Sequence, residues 1–225
     1  MVRSRVIEIW LSQATPAFTT VSLERELPPG QRYVRGFIIY AALGIPNVNI
    51  DGYRFKLSGL VERELEYTYH ELMNSLPHIS YVTDFHCVTK WSVKDVQWEG
   101  VPIKWLAQQA GVKNEASWAF FHCIDGYMAP VPIEDALSER AIVALKMNGA
   151  PISPENGFPC RAFIPHLYGW KSAKHLCEIE FSDKYVDGFW EVYGYHERGN
   201  VWGEERFKGG AGRHLRRSPV LGQKT

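Results

Sequence analysis

Glycine and proline gather in short clusters that divide this sequence into segments too short for long helices. The clusters lie at 28–30, 44–46, 148–151 and 154–159, and apolar runs fill the intervals between them. Glycine allows backbone conformations that other residues avoid, and proline removes a hydrogen-bond donor, so such clusters mark turns and loops. The spacing therefore predicts a strand-rich chain whose short elements are joined by loops.

The apolar intervals themselves favour strands over helices. Apolar and polar residues alternate over 53–60, as in a strand with one buried face, and 117–124 is a more continuously apolar run typical of a buried strand. Short helices are predicted over 69–75, 102–110 and 133–137, the last two with proline at or next to the first residue. The predicted fold class is α+β, mainly β, with all elements in one domain.

Length and charge limit what the protein can be. A chain of 225 residues buries a substantial core without disulfides, and its four cysteines lack the spacing of a zinc ribbon, so we expect reduced thiols. The 25 basic residues balance 25 acidic ones, which does not favour a nucleic-acid partner. We expect an N-terminal extension over 1–27, one domain over 28–207 and a basic flexible tail over 208–225.

The apolar runs are also too short for a membrane. No stretch approaches the ~20 apolar residues of a membrane-spanning helix. Near the N-terminus, Glu8 and Gln13 interrupt the sequence before the apolar segment of a signal peptide can form. We therefore expect no membrane span and a cytoplasmic location.

A cysteine with two basic neighbours is the first candidate for chemistry. Cys87 directly follows His86 and lies three residues before Lys90. Nearby cations favour the thiolate over the thiol, and a thiolate suits a soft, high-valent metal. The alternative is a small buried hydrophobic side chain, the usual role of an intracellular cysteine. A zinc site shared with His122 and Cys123 is disfavoured, because adjacent strand residues point to opposite faces.

A second candidate site lies over 156–175, where turn residues lead into an apolar strand and then into a glycine loop. Backbone amides in such a loop are free to converge on an anion. Arg161 adds a planar guanidinium that can bind phosphate through two hydrogen bonds, whereas Lys171 and Lys174 act as point charges. These residues predict a phosphate cradle, and the alternative is a solvated loop with a surface arginine.

The order of five motifs connects these observations. They are HCVTKWS at 86–92, WEGVPIKWL at 98–106, FHCIDGY at 121–127, NGFPCR at 156–161 and PHLYGWKSAK at 165–174. In this order they resemble the molybdopterin-binding domain of the sulfite oxidase-like oxidoreductases, most closely the compact prokaryotic members. The resemblance covers residues 28–207, and the stretch at 189–207 is similar to the end of those proteins.

This resemblance implies a domain built around one pterin that carries molybdenum or tungsten. It implies that Cys87, the cysteine of the CV-x-x-W motif, is a catalytic residue and the protein's one ligand to the metal. It implies that the pterin and its phosphate contact eight further residues: Tyr40, Ala41, Cys123, Asn156, Arg161, Ser172, Ala173 and Lys174.

Three more side chains are candidates for the open face of the metal. Tyr127 and His122 are the catalytic candidates beside Cys87, and His166 is a similar one. The alternative for each is structural, because a tyrosine often caps a turn and partly buried histidines are commonly satisfied by neighbours.

The first loop, 37–46, departs from the family pattern. Sulfite oxidases proper carry a basic Arg-Asn-His stretch there, and the position of the arginine is Tyr40 in this chain. A doubly charged sulfite needs cationic donors, so we expect a neutral oxo compound such as an S-oxide or N-oxide to be preferred. Lys171 is the expected remaining cation nearby. The predicted function is thus oxygen-atom transfer on a small oxo compound by a molybdenum-pterin oxidoreductase.

The same sequence sets expectations about partners. It has no CxxC cluster, haem-attachment site or dinucleotide-binding glycine motif for a second redox centre, so electrons should pass to or from a separate protein. It lacks the dimerisation domain of the larger relatives, and we expect a monomer. The alternative hypothesis is a non-catalytic domain of the same fold that binds a partner through its basic tail. Metal analysis of the native protein would separate the two.

Overall fold

The computed structural model describes residues 26–209, which form two β-sheets and three short α-helices. The first sheet contains β1 (Arg32–Val34), β4 (Ile79–His86), β5 (Trp91–Pro102), β8 (Ile142–Met147), β9 (Ala150–Pro151) and β10 (Arg161–Phe163). The second contains, in spatial order, β3 (Leu65–Thr68), β2 (Arg54–Gly59), β11 (Leu176–Ser182), β6 (Trp118–Cys123) and β7 (Met128–Pro132). The helices are α1 (Tyr69–Asn74), α2 (Ile103–Ala110) and α3 (Ile133–Ala136).

The predicted fold class is confirmed, because the described chain is mostly β with few helices. Each predicted element is also present, with bounds within about two residues of the prediction. In the first sheet β5 pairs antiparallel with β4 and β8 and parallel with β1. In the second sheet β2 and β11 are parallel, and the remaining pairs are antiparallel.

Local sequence explains where the helices start and stop. At the start of α1 the Thr68 hydroxyl accepts from the Glu71 amide (3.2 Å), and the Glu71 carboxylate accepts from the Thr68 amide (2.7 Å). This reciprocal pair satisfies donors that would otherwise lack partners. Helix α2 ends at Gly111, whose φ of 69° lies in the left-handed region that favours glycine.

The strand β8 separates two hydrophobic cores. Val143 and Leu145 pack into a large core with the second sheet and α2, whereas Ile142 and Ala144 pack into a smaller core. Alternate strand residues point to opposite faces, so this continuous apolar strand is buried on both sides. A third, small cluster of aromatic residues lies around Tyr168. Together these cores hold the ends of β4, β6 and β10 in place.

No helix among residues 26–209 is long and apolar enough to cross a membrane. Most of the predicted N-terminal extension and nearly all of the basic tail lie outside the described residues. Lys208, at the predicted start of the tail, lies inside them, and its Nζ is 2.6 Å from Asp187 Oδ1. The domain limits stay a prediction.

Candidate active site

A cavity of about 420 Å³ lies where the ends of several elements meet. The structure brings nine of the predicted site residues into its lining: Tyr40, Ala41, Cys87, Tyr127, Asn156, Arg161, Ser172, Ala173 and Lys174. They come from the first loop, the turn after β4, the turn between β6 and β7, the start of β10 and the loop before β11. Segments far apart in sequence therefore form one site.

Cys87 lies in a tight turn between β4 and β5. Its amide donates to the Trp91 carbonyl (2.8 Å), and its carbonyl accepts from the Lys90 amide (3.1 Å). Lys90 takes a left-handed φ of 71° to close this turn. The thiol is half-buried, and its Sγ lies 3.2 Å from the Thr89 hydroxyl. The turn thus presents one sulfur atom to the cavity.

Side chains from distant parts of the chain hold this turn from behind. Gln31 Nε2 donates to the Cys87 carbonyl (3.0 Å). The guanidinium of Arg206 donates to the Val88 carbonyl through Nη1 and to the Pro29 carbonyl through Nη2 (3.0 Å). The position of the sulfur is therefore fixed by more than the local turn.

Arg161 forms the floor of the predicted cradle. Its side chain donates to Ser172 Oγ (3.1 Å), the Ser172 carbonyl (2.9 Å) and the Asn156 carbonyl (2.9 Å). All three acceptors are neutral, and no carboxylate within residues 26–209 pairs with the guanidinium. Arg161 is only 2% exposed, and burial lowers its pKa to about 10. A buried cation without a counter-charge is an anion-binding group, and the predicted alternative of a solvated surface arginine is wrong.

Asn156, which also lines the cavity, has a buried polar atom without a hydrogen-bond partner among the described residues. Its Nδ2 donates to Ser153 Oγ (3.0 Å), but its buried Oδ1 has no hydrogen-bond partner in the described part of the chain. Buried polar atoms in folded proteins nearly always have partners. This side of the cavity therefore offers an acceptor to a ligand with an N–H or O–H donor.

Lys174 connects the cradle to the first loop. Its Nζ donates to the Tyr40 carbonyl (3.1 Å) and the Glu155 carbonyl (2.7 Å). Burial, reinforced by the charge of Arg161, lowers the pKa of Lys174 to about 8. The Tyr40 ring is 62% exposed and packs against Trp190, with ring centroids 5.8 Å apart. Tyr40 of the first loop is thus held across the cavity by one hydrogen bond from Lys174 and one ring contact with Trp190.

A glycine allows the next loop to reach the cavity. A Cβ on Gly169 would lie 2.4 Å from Cζ of Phe85, which no side chain tolerates. The glycine therefore lets the backbone pass close to Phe85. This approach brings Ser172 and Ala173 to the cavity wall.

Three predicted side chains have other roles in the structure. Cys123 is buried in the large core, and burial raises its pKa well above the ordinary range. His122, on the other face of β6, pairs with Glu180 (2.8 Å). His166 pairs with Asp135 (2.7 Å). None of these three lines the cavity, so the structure does not bring Cys123, predicted as a cofactor contact, or the two histidines, predicted as catalytic candidates, into its lining.

Tyr127 does line the cavity, but its hydroxyl already donates to the Trp170 carbonyl. Burial, with a smaller contribution from Glu191, raises its pKa well above the ordinary range. Tyr127 therefore holds the cavity wall, and its donor is used inside the protein rather than toward a metal.

Lys171 is not the free cation that the sequence predicted. Its fully buried Nζ lies 2.8 Å from Glu191 Oε1 and also donates to the Pro130 carbonyl. Burial lowers its pKa against the opposing effect of Glu191. The lysine that lines the cavity is Lys174, three residues later.

Sequence reasoning missed an aromatic wall near Cys87. Tyr195 is 7% exposed and packs between Trp170 and Trp190, with centroid distances of 5.2 and 4.9 Å. Burial, then the proximity of Cys87 and Tyr40, raises the Tyr195 pKa to about 12. Its hydroxyl makes no hydrogen bond to any residue of 26–209. The motif at 189–207 contained this tyrosine, but no spacing rule indicated that it returns to the cysteine.

Comparison with known proteins agrees with the family that the sequence motifs resemble. The model of the family described as "Oxidoreductase molybdopterin binding domain" matches residues 42–190. The chain is 37% identical over 182 residues to the uncharacterized oxidoreductase YuiH of Bacillus subtilis (strain 168), covering 80% of this chain and 91% of that protein.

More distant relatives are longer. The protein-methionine-sulfoxide reductase catalytic subunit MsrP of Campylobacter jejuni is 27% identical over 170 residues, which cover 68% of this chain and 57% of that protein. The crystal structure of the sulfane dehydrogenase SoxCD from Paracoccus pantotrophus is 21% identical, with a TM-score of 0.58. That match covers 67% of this chain and 42% of the other, and it shows a shared fold.

Proposed function

This chain belongs to the oxidoreductase molybdopterin-binding domain family, and on that premise we propose that it reduces a neutral S-oxide to a thioether. In this reaction the sulfur–oxygen bond breaks and the oxygen leaves as water, with two electrons and two protons taken up. We propose that a separate redox protein supplies the electrons. The name of the Campylobacter relative supports a sulfoxide as the substrate class.

The residues present fit a phosphorylated pterin that carries molybdenum. Arg161 is buried without a counter-ion from the described part of the chain, so a phosphate would supply the missing charge. The unpartnered Asn156 Oδ1 suits an N–H group of a heterocycle. Cys87 offers a soft sulfur ligand to the same cavity. The cavity thus offers a cation without a counter-charge, an acceptor without a donor and a half-buried thiol, which match the phosphate, the heterocycle and the metal of the cofactor.

The chain's own residues would bind, orient and enclose the cofactor. When bound, the molybdenum centre supplies the oxygen-atom and electron transfer chemistry. Arg161 and Lys174 would hold its phosphate, Ser172 would orient Arg161, and Cys87 would ligate the metal. Tyr195, whose hydroxyl has no hydrogen-bond partner among residues 26–209, would donate a hydrogen bond to a substrate oxygen near Cys87. The surrounding tryptophans would exclude water from that position.

The observation that carries the choice of a neutral substrate is the uncharged wall near Cys87. The side chains there are Tyr40, Trp190 and Tyr195, which are polar only at their tips. Arg161 and Lys174 also line the cavity, but they are assigned to the cofactor phosphate and would not be available to a substrate. An S-oxide needs one hydrogen-bond donor, whereas sulfite needs cations to replace its hydration.

The test is steady-state kcat/KM for methionine sulfoxide, for dimethyl sulfoxide and for sulfite, with an artificial electron carrier. We expect the sulfoxides to be turned over more efficiently than sulfite. Tyr40→Arg should raise sulfite turnover about 10- to 100-fold, because a charge-assisted hydrogen bond is worth ~1.5–3 kcal/mol. Val82→Arg adds the same charge at an exposed position outside the cavity and should change nothing. A native preference for sulfite that Tyr40→Arg leaves unaltered would refute this substrate class.

Metal analysis tests the enzyme against the alternative of a binding module. The native protein should contain about one molybdenum per chain. A protein isolated from molybdenum-replete cells without metal or pterin would support the non-catalytic alternative.

A further inference from the structure

We propose that Thr89 is a positioning residue whose hydroxyl donates a hydrogen bond to the Cys87 thiolate and thereby raises the reduction potential of the metal. The inference rests on the proposed function, because it needs Cys87 to hold a redox metal. Its structural basis is the 3.2 Å distance between Thr89 Oγ1 and Cys87 Sγ. Both residues line the cavity.

The direction of this hydrogen bond follows from the chemistry of sulfur. A thiol and a hydroxyl can each donate to the other, but a metal-bound thiolate has lost its proton and can only accept. The proton between these two atoms must then belong to Thr89. No other residue of 26–209 donates a hydrogen bond to this sulfur, since Gln31 reaches the Cys87 carbonyl instead.

The backbone of the turn keeps Thr89 Oγ1 and Cys87 Sγ close together. The turn is closed at both ends by the hydrogen bonds between Cys87 and Trp91 and between Lys90 and Cys87. Arg206 holds the Val88 carbonyl between them. Threonine also has a restricted χ1 because its Cβ is branched. The contact is therefore built into the turn rather than left to a flexible side chain.

A hydrogen-bond donor to a thiolate changes the redox behaviour of the metal that the thiolate binds. The hydrogen bond draws electron density from sulfur, which weakens its donation to the metal and favours the more reduced metal state. Removing the hydroxyl should make the sulfur a stronger donor. The metal should then be harder to reduce, while the fold stays intact because Thr89 is exposed.

The experiment uses the molybdenum-loaded protein and compares Thr89→Val, which keeps the shape and removes the donor, with Thr89→Ser, which keeps the donor. Redox titration followed by electron paramagnetic resonance measures the one-electron midpoint potential of the metal. Thr89→Val should shift that equilibrium about tenfold toward the oxidised state, a drop of ~59 mV for one electron. The thiolate-to-metal absorption band should shift as well. Thr89→Ser should restore both values, and Thr83→Val, a matched change on β4 outside the cavity, should leave them at the native values.

The possible failures are distinguishable. If the native protein carries no molybdenum, the proposed function fails and this inference fails with it. If all variants carry molybdenum but Thr89→Val has the native potential and spectrum, the proposed function stands and the role of Thr89 is refuted. A potential shift in Thr83→Val, or a failure of Thr89→Ser to restore the native value, would refute that role too.

Discussion

Two residues of the site, Arg161 and Lys174, carry positive charge in surroundings that are partly or fully shielded from water. Arg161 is a guanidinium enclosed by carbonyls, a hydroxyl and aromatic rings, with its Cζ 5.5 Å from the Phe85 ring centroid. Lys174, next to it, holds a proton less tightly than an exposed lysine does. Both features favour a dianionic ligand, because its charge would offset the energy of burying two cations.

The first prediction at this scale concerns Cys87. Cys87→Ser should abolish oxidoreductase activity and lower the molybdenum content, because a hydroxyl is a poor replacement for a soft thiolate. Circular dichroism should show an unchanged fold, since the side chain is only half-buried. Cys177→Ser is the matched control, because that half-buried thiol lies outside the cavity and should be dispensable. Turnover by Cys87→Ser with a model acceptor would contradict the assignment.

The second prediction concerns pH and cofactor retention. The Lys174 pKa is about 8 in the cofactor-free chain, and a bound phosphate should raise it. Affinity should therefore be greatest below pH 8 and decline as the pH rises above 8 toward the pKa of the bound form. This decline in affinity is tested by measuring how much pterin the protein retains after dialysis at pH 7 to 10.

Two variants check the pH prediction. Lys174→Ala should bind more weakly and lose the pH dependence over that range. Arg161→Ala should bind about 10- to 100-fold more weakly at each pH, from the loss of ~1.5–3 kcal/mol. Full pterin content in both variants would show that the cradle lies elsewhere.

The sequence predicted some of these residues better than others. Cys87, Arg161 and Lys174 were predicted from the order of the five motifs and the family they resemble, and all three line the cavity. Lys171 was misjudged because its partner Glu191 lies 20 positions away, and burial of such a pair leaves no local signal. Tyr195 was missed for the same reason, since only the folded chain brings it to Cys87.

At the scale of elements, a buried ion pair joins two short 3₁₀ helices. Lys171 ends the helix Gly169–Lys171, and Glu191 begins the helix Glu191–Tyr193. Glu191 also accepts from Trp170 Nε1 (2.9 Å). The first helix carries the cavity residue Trp170, and the second directly follows the cavity residue Trp190, so this ion pair sets the spacing between two parts of the wall.

The third prediction tests that connection. Glu191→Gln should lower the free energy of unfolding by ~3–5 kcal/mol, because it leaves the Lys171 charge buried without a partner. The double variant with methionine at both positions should recover much of this loss. Glu139→Gln, in the exposed pair with Lys104, is the control and should have little effect. Urea unfolding measures all three, and equal losses in Glu191→Gln and Glu139→Gln would contradict the argument.

The presence of a strand or helix could be predicted where the pattern that specifies it lies within a few neighbouring residues. The alternation over 53–60 and the capping pair of α1 are contained in a few residues. Strand pairing, in contrast, depends on residues that are far apart in the sequence. The parallel register of β2 with β11 joins residues more than 100 positions apart, and no single segment encodes that pairing.

At the scale of the whole molecule, the cofactor should act as part of the core. It would fill a cavity of about 420 Å³ lined by the first loop, the turns that follow β4 and β6, and the loop before β11. A ligand that binds only the folded state stabilises it, by ~2.7 kcal/mol at a concentration 100 times Kd. The cytoplasmic location and the monomeric state of the chain stay predictions at this scale.

The fourth prediction follows from that linkage. The loaded protein should have a higher Tm than the cofactor-free form, and scanning calorimetry of both measures the difference. Arg161→Ala should reduce the difference, because it removes the main phosphate contact. Lys104→Ala, far from the cavity lining, should preserve it. Equal Tm values for loaded and cofactor-free native protein would show that the cofactor is not integral to the fold.

The guanidinium that clamps the cysteine turn has a consequence for how the protein is made. Arg206 lies 118 positions after Val88 and 177 after Pro29, yet it binds the carbonyls of both. A ribosome will have synthesised Cys87, the proposed metal ligand, long before the residue that fixes its turn. We therefore expect maturation to follow a fixed order, with cofactor insertion after translation has passed residue 206.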